Sequence, residues 1–455
     1  MPQAEERLGL GPLISFCLPT MALSILVAPA TSVLPGIYAK YFGLSLTTVA
    51  FAVLIARLLD AITDPLIGYL SDRSIRRGGS RKAWVIFGAI ASLAAGWCLY
   101  APIAQPTFAY FLVSYVVFYV AMTSMDIPHN AWASELAHDY QDRTRLFGFK
   151  GILGTLGQLS FYAIPFLPIL ASREFTPEAL RLGVMLAAIV MLPSLLWAAW
   201  VVPKGNIGHL RGKGRVFADL SSLWGNGPFL IFLAIFALAG LGFGVWGGLL
   251  FIVLDSYLKA EGVTAVVFVL AVPTGLLGIP FWYFVSKKTS KKFAWQAATT
   301  LLSISMAAMV MLKPGNGANT LIMALTAAIF FFGSCIGVLG PSIVGDAADF
   351  GTLKSGRDLN GTYFALFTAV TKANVGLGGA LGLGLVGLYG YDASGETSTA
   401  SANLALMISF SVLPAILIAM SAIVMRLFPI DARRHAIILK RIRTRPFSDS
   451  RVVAS

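Results

Sequence analysis

Twelve apolar stretches follow one another along this chain, and a stretch of about 20 apolar residues is what an α-helix needs to cross the hydrocarbon layer of a membrane. They fall at 11–38, 45–71, 84–103, 107–128, 147–171, 181–203, 226–254, 262–286, 294–313, 319–344, 360–390 and 403–427. In lipid, each segment must satisfy its own backbone polar groups, so the expected fold is all-α, a polytopic bundle. No soluble core could hide this much apolar surface. Hydrophobic residues make up 57% of the chain and charged ones 12%, about half the charged share of a soluble protein. The 45 glycines suit helices whose backbones approach closely. The longest spans invite tilting, or breaks at Pro35 and around the glycines of 376–387. Met1–Leu10 is short and charged and no small-residue cleavage site follows it, so the first apolar run reads as a membrane helix, not a cleaved signal.

A net charge of +13 could suggest nucleic-acid binding, but the basic residues recur between the spans and form no basic domain. Alternate loops carry Arg73, Arg76, Arg77, Arg81 and Lys82; Arg143 and Arg145; Lys204, Arg211, Lys213 and Arg215; Lys287, Lys288, Lys291 and Lys292; then Lys354 and Arg357. The opposite loops hold little beyond Lys40, Arg173, Arg181, Lys259 and Lys313. By the positive-inside rule both termini are cytoplasmic, and the tail from Arg433 to Arg445 continues the basic face. Cys17, Cys98 and Cys335 lie scattered in apolar segments, which reads as core packing and not as disulfides or a metal site.

The chain also repeats itself. YLSDRSIRRGGSRKAW (69–84), after the second span, is echoed by YFVSKKTSKKFAW (283–295), after the eighth. ELAHDYQDRTRLFG (135–148), after the fourth, is echoed by GDAADFGTLKSGRDLNGTYF (345–364), after the tenth. Two six-helix halves in the same order, 1–203 and 226–430, joined by a basic linker at 204–225 and followed by a basic tail at 431–455, describe the parallel repeat of a secondary transporter.

Charges inside spans cost about 3 kcal/mol or more each, so every one needs a reason. Arg57, Asp60 and Asp64 share one face of the second span. Two carboxylates with one arginine leave a net negative site of hard oxygen ligands, suited to a monovalent cation or a proton. The alternative is an ion-pair network that fixes helix packing. Thr123 and Asp126 share a face of the fourth span, just before Pro128; either Asp126 faces inward or it is solvated where the proline ends the helix. Lys372 lies about a dozen residues into the eleventh span, with Thr368 one turn earlier and Thr371 adjacent. At that depth it should pair with Asp60, Asp64 or Asp126 in preference to snorkelling to an interface. The glycines around Gly378 and Gly382 follow no strand and read as helix packing, not a nucleotide fingerprint. The four histidines, His129, His138, His209 and His435, are dispersed, and neither a catalytic constellation nor a phosphate-binding loop stands out. An enzyme is therefore not expected.

GYLSDRSIRRGGSRK (68–82) resembles the cytoplasmic-loop signature of the major facilitator superfamily. Together with RLLDAITDPLIG (57–68), TSMDIPHNAWASEL (123–136), DAADFGTLKSGRDLNGTYFA (346–365) and Lys372, the pattern looks like the glycoside–pentoside–hexuronide:cation symporters, the family of melibiose permease. The resemblance implies a major facilitator fold and cation-coupled symport of a small solute by alternating access. Asp60, Asp64 and Thr123 match the family's cation site, Asp126 an acidic solute-binding residue, Lys372 the helix-eleven lysine near both sites, and Arg57 the arginine one turn before the first aspartate. Gly68, Asp72, Arg73 and Arg81 fall in the signature loop, expected to act as a cytoplasmic gate. Departures are visible. The first span, FCLPTMALSILVAPATSV, has no acid where a sugar-binding aspartate is expected; Asn130 stands in place of an aromatic residue, and Thr63 in place of an asparagine. The resemblance thus implies Na+ or H+ as coupling ion, no cofactor, an inner-membrane location and a working monomer. It favours a sugar or glycoside but leaves open a lysolipid or organic-acid solute, or an uncoupled facilitator.

Overall fold

The computed structural model describes residues 9–136, 140–203, 205, 223–260, 262–315, 318–356, 359–394 and 398–444. The regular structure among these residues is entirely helical, with no strand. Most of the linker at 204–225 lies outside them, as do His138, His209 and Arg357.

The helices are α1 (Leu10–Ser32), α2 (Leu34–Phe42), α3 (Leu46–Arg76), α4 (Arg81–Tyr100), α5 (Phe108–Leu136), α6 (Tyr140–Tyr162), α7 (Pro177–Val201) and α8 (Gly227–Ile252). They continue with α9 (Val263–Lys288), α10 (Lys291–Ala308), α11 (Ala318–Ser355), α12 (Asn360–Leu388), α13 (Ala400–Met407), α14 (Leu413–Val424) and α15 (Ala432–Thr444). Among the described residues, eleven helices are long and apolar enough to cross a membrane. Of the twelve expected spans, the fifth does not meet that standard. It forms as α6, shifted towards the N-terminus of the expected 147–171, and contains Arg143, Arg145 and Lys150. Its glycines explain how a polar helix packs so closely. A Cβ on Gly157 would collide with the Met21 carbonyl of α1, so the two backbones can meet only because no side chain intervenes.

Of the two expected breaks, one forms. The first span stops at Ser32 and restarts at Leu34, with Pro35 in the first turn of α2, where its missing N–H costs nothing. Around 376–387, by contrast, α12 runs unbroken to Leu388. There the glycines serve packing: a Cβ on Gly378 would lie 2.7 Å from the Leu241 carbonyl and 2.8 Å from the Gly244 Cα, so α12 and α8 touch backbone to backbone. Pro128 does not end α5, which continues to Leu136. Likewise 345–355, read as a polar stretch after a span, continues α11. Cys98 departs from the expectation of three packed cysteines: it is exposed, while Cys17 and Cys335 are buried.

The chain forms two compact units. The first comprises Met1–Lys213 with Leu254–Val269 and Gly390–Ser398; the second comprises Gly214–Val253, Leu270–Tyr389 and Thr399–Ser455. In the first, Asp255 meets Lys40 of α2, with Nζ 2.7 Å from Oδ2. In the second, Phe232, Phe236, Trp295, Tyr363 and Phe428 gather in one aromatic core. Hydroxyl and amide N-caps begin several helices: Ser45, Ser80, Thr176, Asn226, Ser290 and Thr399 each accept from a backbone N–H in the first turn.

Candidate functional site

The i,i+3 spacing of Arg57 and Asp60 on α3 produces an ion pair, Nη1 to Oδ2 at 2.8 Å, and Asp60 is buried. The guanidinium also lies over the Tyr119 ring of α5, 3.7 Å from its centroid. Two contacts set the register between these helices: Arg57 meets Tyr119, and the Cα of Gly68 carries its hydrogen where a Cβ would lie 3.8 Å from Ile127. Thr63 adjoins Asp64 on α3, and Thr123 lies on α5 between Tyr119 and Ile127, the residues that meet α3 at Arg57 and Gly68. Thr123 is buried, and neither its hydroxyl nor that of Thr63 has a hydrogen-bond partner among the described residues. A buried hydroxyl oxygen normally finds a partner. Two such oxygens on the helix pair that carries Asp60 and Asp64 suit a small hard cation that would take them as ligands.

One turn further along α5, Asp126 and Asn130 share a face at i,i+4 spacing. Lys150 of α6, almost fully buried, reaches both: Nζ is 3.6 Å from Asp126 Oδ1 and donates a short hydrogen bond to Asn130 Oδ1. On the neighbouring face His129 is buried, its Nε2 2.9 Å from the Phe16 carbonyl of α1 and its ring 4.3 Å from that of Phe16. Asp126 thus faces inward but stays one-third exposed, halfway between the two readings its spacing allowed. Lys150 was not singled out in the sequence. Its signal was there, a lysine inside a run of glycines spaced three apart (Gly148, Gly151, Gly154, Gly157), but Arg143 and Arg145 just before it made the segment look like the edge of a loop.

The signature loop forms a clasp around Arg81, which is 5% exposed at the start of α4. Its Nη1 donates to Ser71 Oγ at 2.6 Å, its Nη2 to Asp72 Oδ1 at 2.6 Å and its Nε to Glu135 Oε1 at 2.9 Å. Arg73, assigned to the same gate, is exposed. Glu135 has no role assigned from the sequence, where it opens the echoed stretch 135–148 and ends the motif 123–136, yet it is the most deeply buried acid of the clasp. In the second unit Lys291, at the start of α10, holds both oxygens of Asp346 at 2.7 Å. His435 of α15 adds Nε2 contacts to Asp349 Oδ2 at 2.9 Å and to Asp346 Oδ1 at 3.5 Å. Lys372, Thr368 and Thr371 lie on α12 of this unit. Both threonine hydroxyls donate back to their own helix at 2.9 Å, to Phe364 and Phe367. Among the described residues no cluster of three or more His, Cys, Asp or Glu could hold a metal ion.

The family model for MFS/sugar transport proteins matches residues 15–432. YagG of Escherichia coli strain K12, a candidate glycoside/cation symporter, is 26% identical over 419 residues, covering 90% of this chain and 89% of its own. The isoprimeverose transporter of Lactiplantibacillus pentosus is 24% identical over 438 residues, with 92% and 88% covered. Among solved structures, a variant of the nucleoside transporter NupG superposes with a TM-score of 0.70 at 13% identity, covering 91% of this chain and 99% of that one.

Proposed function

The chain belongs to the MFS/sugar transport protein family, and from that premise we propose that it is a secondary transporter moving a sugar-class solute together with a monovalent cation across a bacterial inner membrane. The observation that carries this reading is the pair of buried hydroxyls without a partner among the described residues, Thr63 next to Asp64 on α3 and Thr123 on the neighbouring helix α5. These two side chains, with Asp60 and Asp64, are the proposed cation site.

A cation arriving at Asp60 competes with Arg57 for the same carboxylate. The guanidinium already lies over the Tyr119 ring, and that contact, worth roughly 2 kcal/mol in a desolvated setting, can hold it in place when the carboxylate turns to the cation. Neutralising the negative pair then makes closure around a solute less costly, because fewer unpaired charges lose water. Na+ and H+ both fit the oxygen ligands.

The solute site on the first unit is Asp126, Asn130 and Lys150. The gap of 3.6 Å between Lys150 and Asp126 is too long for a good direct hydrogen bond. A sugar hydroxyl that accepts from Lys150 and donates to Asp126 would satisfy both, and hydroxyls can do both at once. On the second unit Lys372, Thr368 and Thr371 are assigned to the solute by their sequence pattern and the family resemblance. The names of YagG and the isoprimeverose transporter support a glycoside or sugar as solute. Cytoplasmic termini, a monomeric working form and alternating access belong to the same proposal, with the Arg81 clasp as a latch on the cytoplasmic side.

Uptake of labelled glycosides into proteoliposomes, with and without an imposed Na+ or H+ gradient, tests the reading. One gradient should drive accumulation, and Asp60→Asn or Asp64→Asn should abolish that accumulation while the purified variant stays folded. Normal accumulation by either variant would remove coupling from this site.

A further inference from the structure

The last described helix, α15, is used by neither the solute nor the cation reading, and its two faces differ sharply. Asp431 starts it: its carboxylate accepts from the Arg434 backbone N–H at 2.7 Å, an N-cap outside the first turn. One face then docks on the second unit. Ile438 is buried in the aromatic core, Ile442 packs against it, and His435 reaches Asp346 and Asp349 of α11. The other face is solvent-exposed and repeats at the spacing i, i+4, i+7: Arg433, Ile437 and Lys440, with Arg441 beside Ile437. Ile437 is 46% exposed, an apolar side chain surrounded by cations.

We propose that this face of α15 is an interfacial helix that lies on anionic phospholipid headgroups of the bilayer around the transporter. Several observations select that occupant. The exposed stripe is cationic, so its partner must be anionic, and a lone Ile437 among arginines and lysines suits the boundary between headgroups and acyl chains better than bulk water. The helix follows directly on the last membrane-crossing segment, Ala400–Leu427, with four residues between them. Its docked end shares Asp346 with Lys291 at the end of α9–α10 that also carries Lys287, Lys288 and Lys292, the end the positive-inside rule assigns to the anionic leaflet. Docking through Ile438 and His435 holds the stripe in a fixed orientation, so binding lipid orders no new helix. Each basic side chain near such a surface adds roughly a fivefold factor in affinity.

The test is hydrogen exchange of the α15 amides in the full-length protein, reconstituted in nanodiscs of phosphatidylcholine alone or of phosphatidylcholine with phosphatidylglycerol. Exchange should slow by about tenfold or more in the anionic discs, and high salt should remove the difference. The triple variant Arg433→Gln, Lys440→Gln, Arg441→Gln should exchange like wild type in phosphatidylcholine, showing that docking is intact, and lose the response to phosphatidylglycerol. Equal exchange in both lipids overturns the proposal. So does protection in phosphatidylcholine that grows with protein concentration, which would make the occupant a second copy of the chain.

Discussion

The two units build the same clasp with different parts. In each, a serine N-cap is followed by a cation and then a lysine: Ser80, Arg81 and Lys82 in the first, Ser290, Lys291 and Lys292 in the second. In each, the trailing lysine caps the carbonyls of a later helix end, Lys82 on Ala199 at 2.9 Å and Lys292 on Arg426 at 2.7 Å. The cations differ. Arg81 spreads three hydrogen bonds over Ser71, Asp72 and Glu135 and is buried, whereas Lys291 meets one carboxylate and its side chain is 37% exposed. A guanidinium is a planar fork that can serve several acceptors at once, while an ammonium acts as a point charge. The second unit also has a lysine-rich run, YFVSKKTSKK, where the first has Asp72. His435 from the tail helix occupies the remaining side of its acid cluster. The first clasp is therefore complete within its own helices, and the second recruits the C-terminal segment.

That contrast can be broken in order of expected size. Arg81→Ala should be the most damaging, because it leaves Glu135 as a buried, uncompensated charge; about 3–5 kcal/mol of stability should go, read as a large fall in the thermal midpoint of the purified protein. Arg81→Lys should recover only part of the loss, since one ammonium cannot serve three acceptors in this geometry. Lys291→Ala should cost about 1 kcal/mol or less in the same assay, because that pair is partly solvated. If Lys291→Ala proved as costly as Arg81→Ala, the two clasps would be equivalent and the contrast would fall. The smallest effect is expected for His435→Ala. It should cost the global midpoint no more than about 1 kcal/mol and show chiefly as faster hydrogen exchange in α15, with the amides of α4 and α5 unchanged.

Elements with a local cause were legible in the sequence. Arg57 and Asp60 pair as their spacing on one helix allows, and the first span breaks beside Pro35, which sits in the first turn of the helix that restarts there. The glycines of 376–387 carried an ambiguous signal. Glycine both weakens a helix and lets it be approached, and α8 lying against Gly378 selected the second effect. Glu135 and Lys150 were missed for a related reason. Each sits where a polar loop joins a span, and only the neighbouring helices α4 and α5 turn them from loop charges into buried partners.

What the sequence by itself determined is the solvent of the fold and the identity of its local motifs. Long apolar runs have only helical solutions in lipid, the family signature is a linear string, and residues three or four apart on a helix meet whatever surrounds them. What only the tertiary structure decided is which polar groups lose water together. Lys150 comes to Asp126 from another helix, Arg81 finds Glu135 across 54 positions, and His435 reaches Asp349 across 86. Such pairings depend on helix packing, and packing is set by close approach over whole helix faces, which no short window of sequence contains.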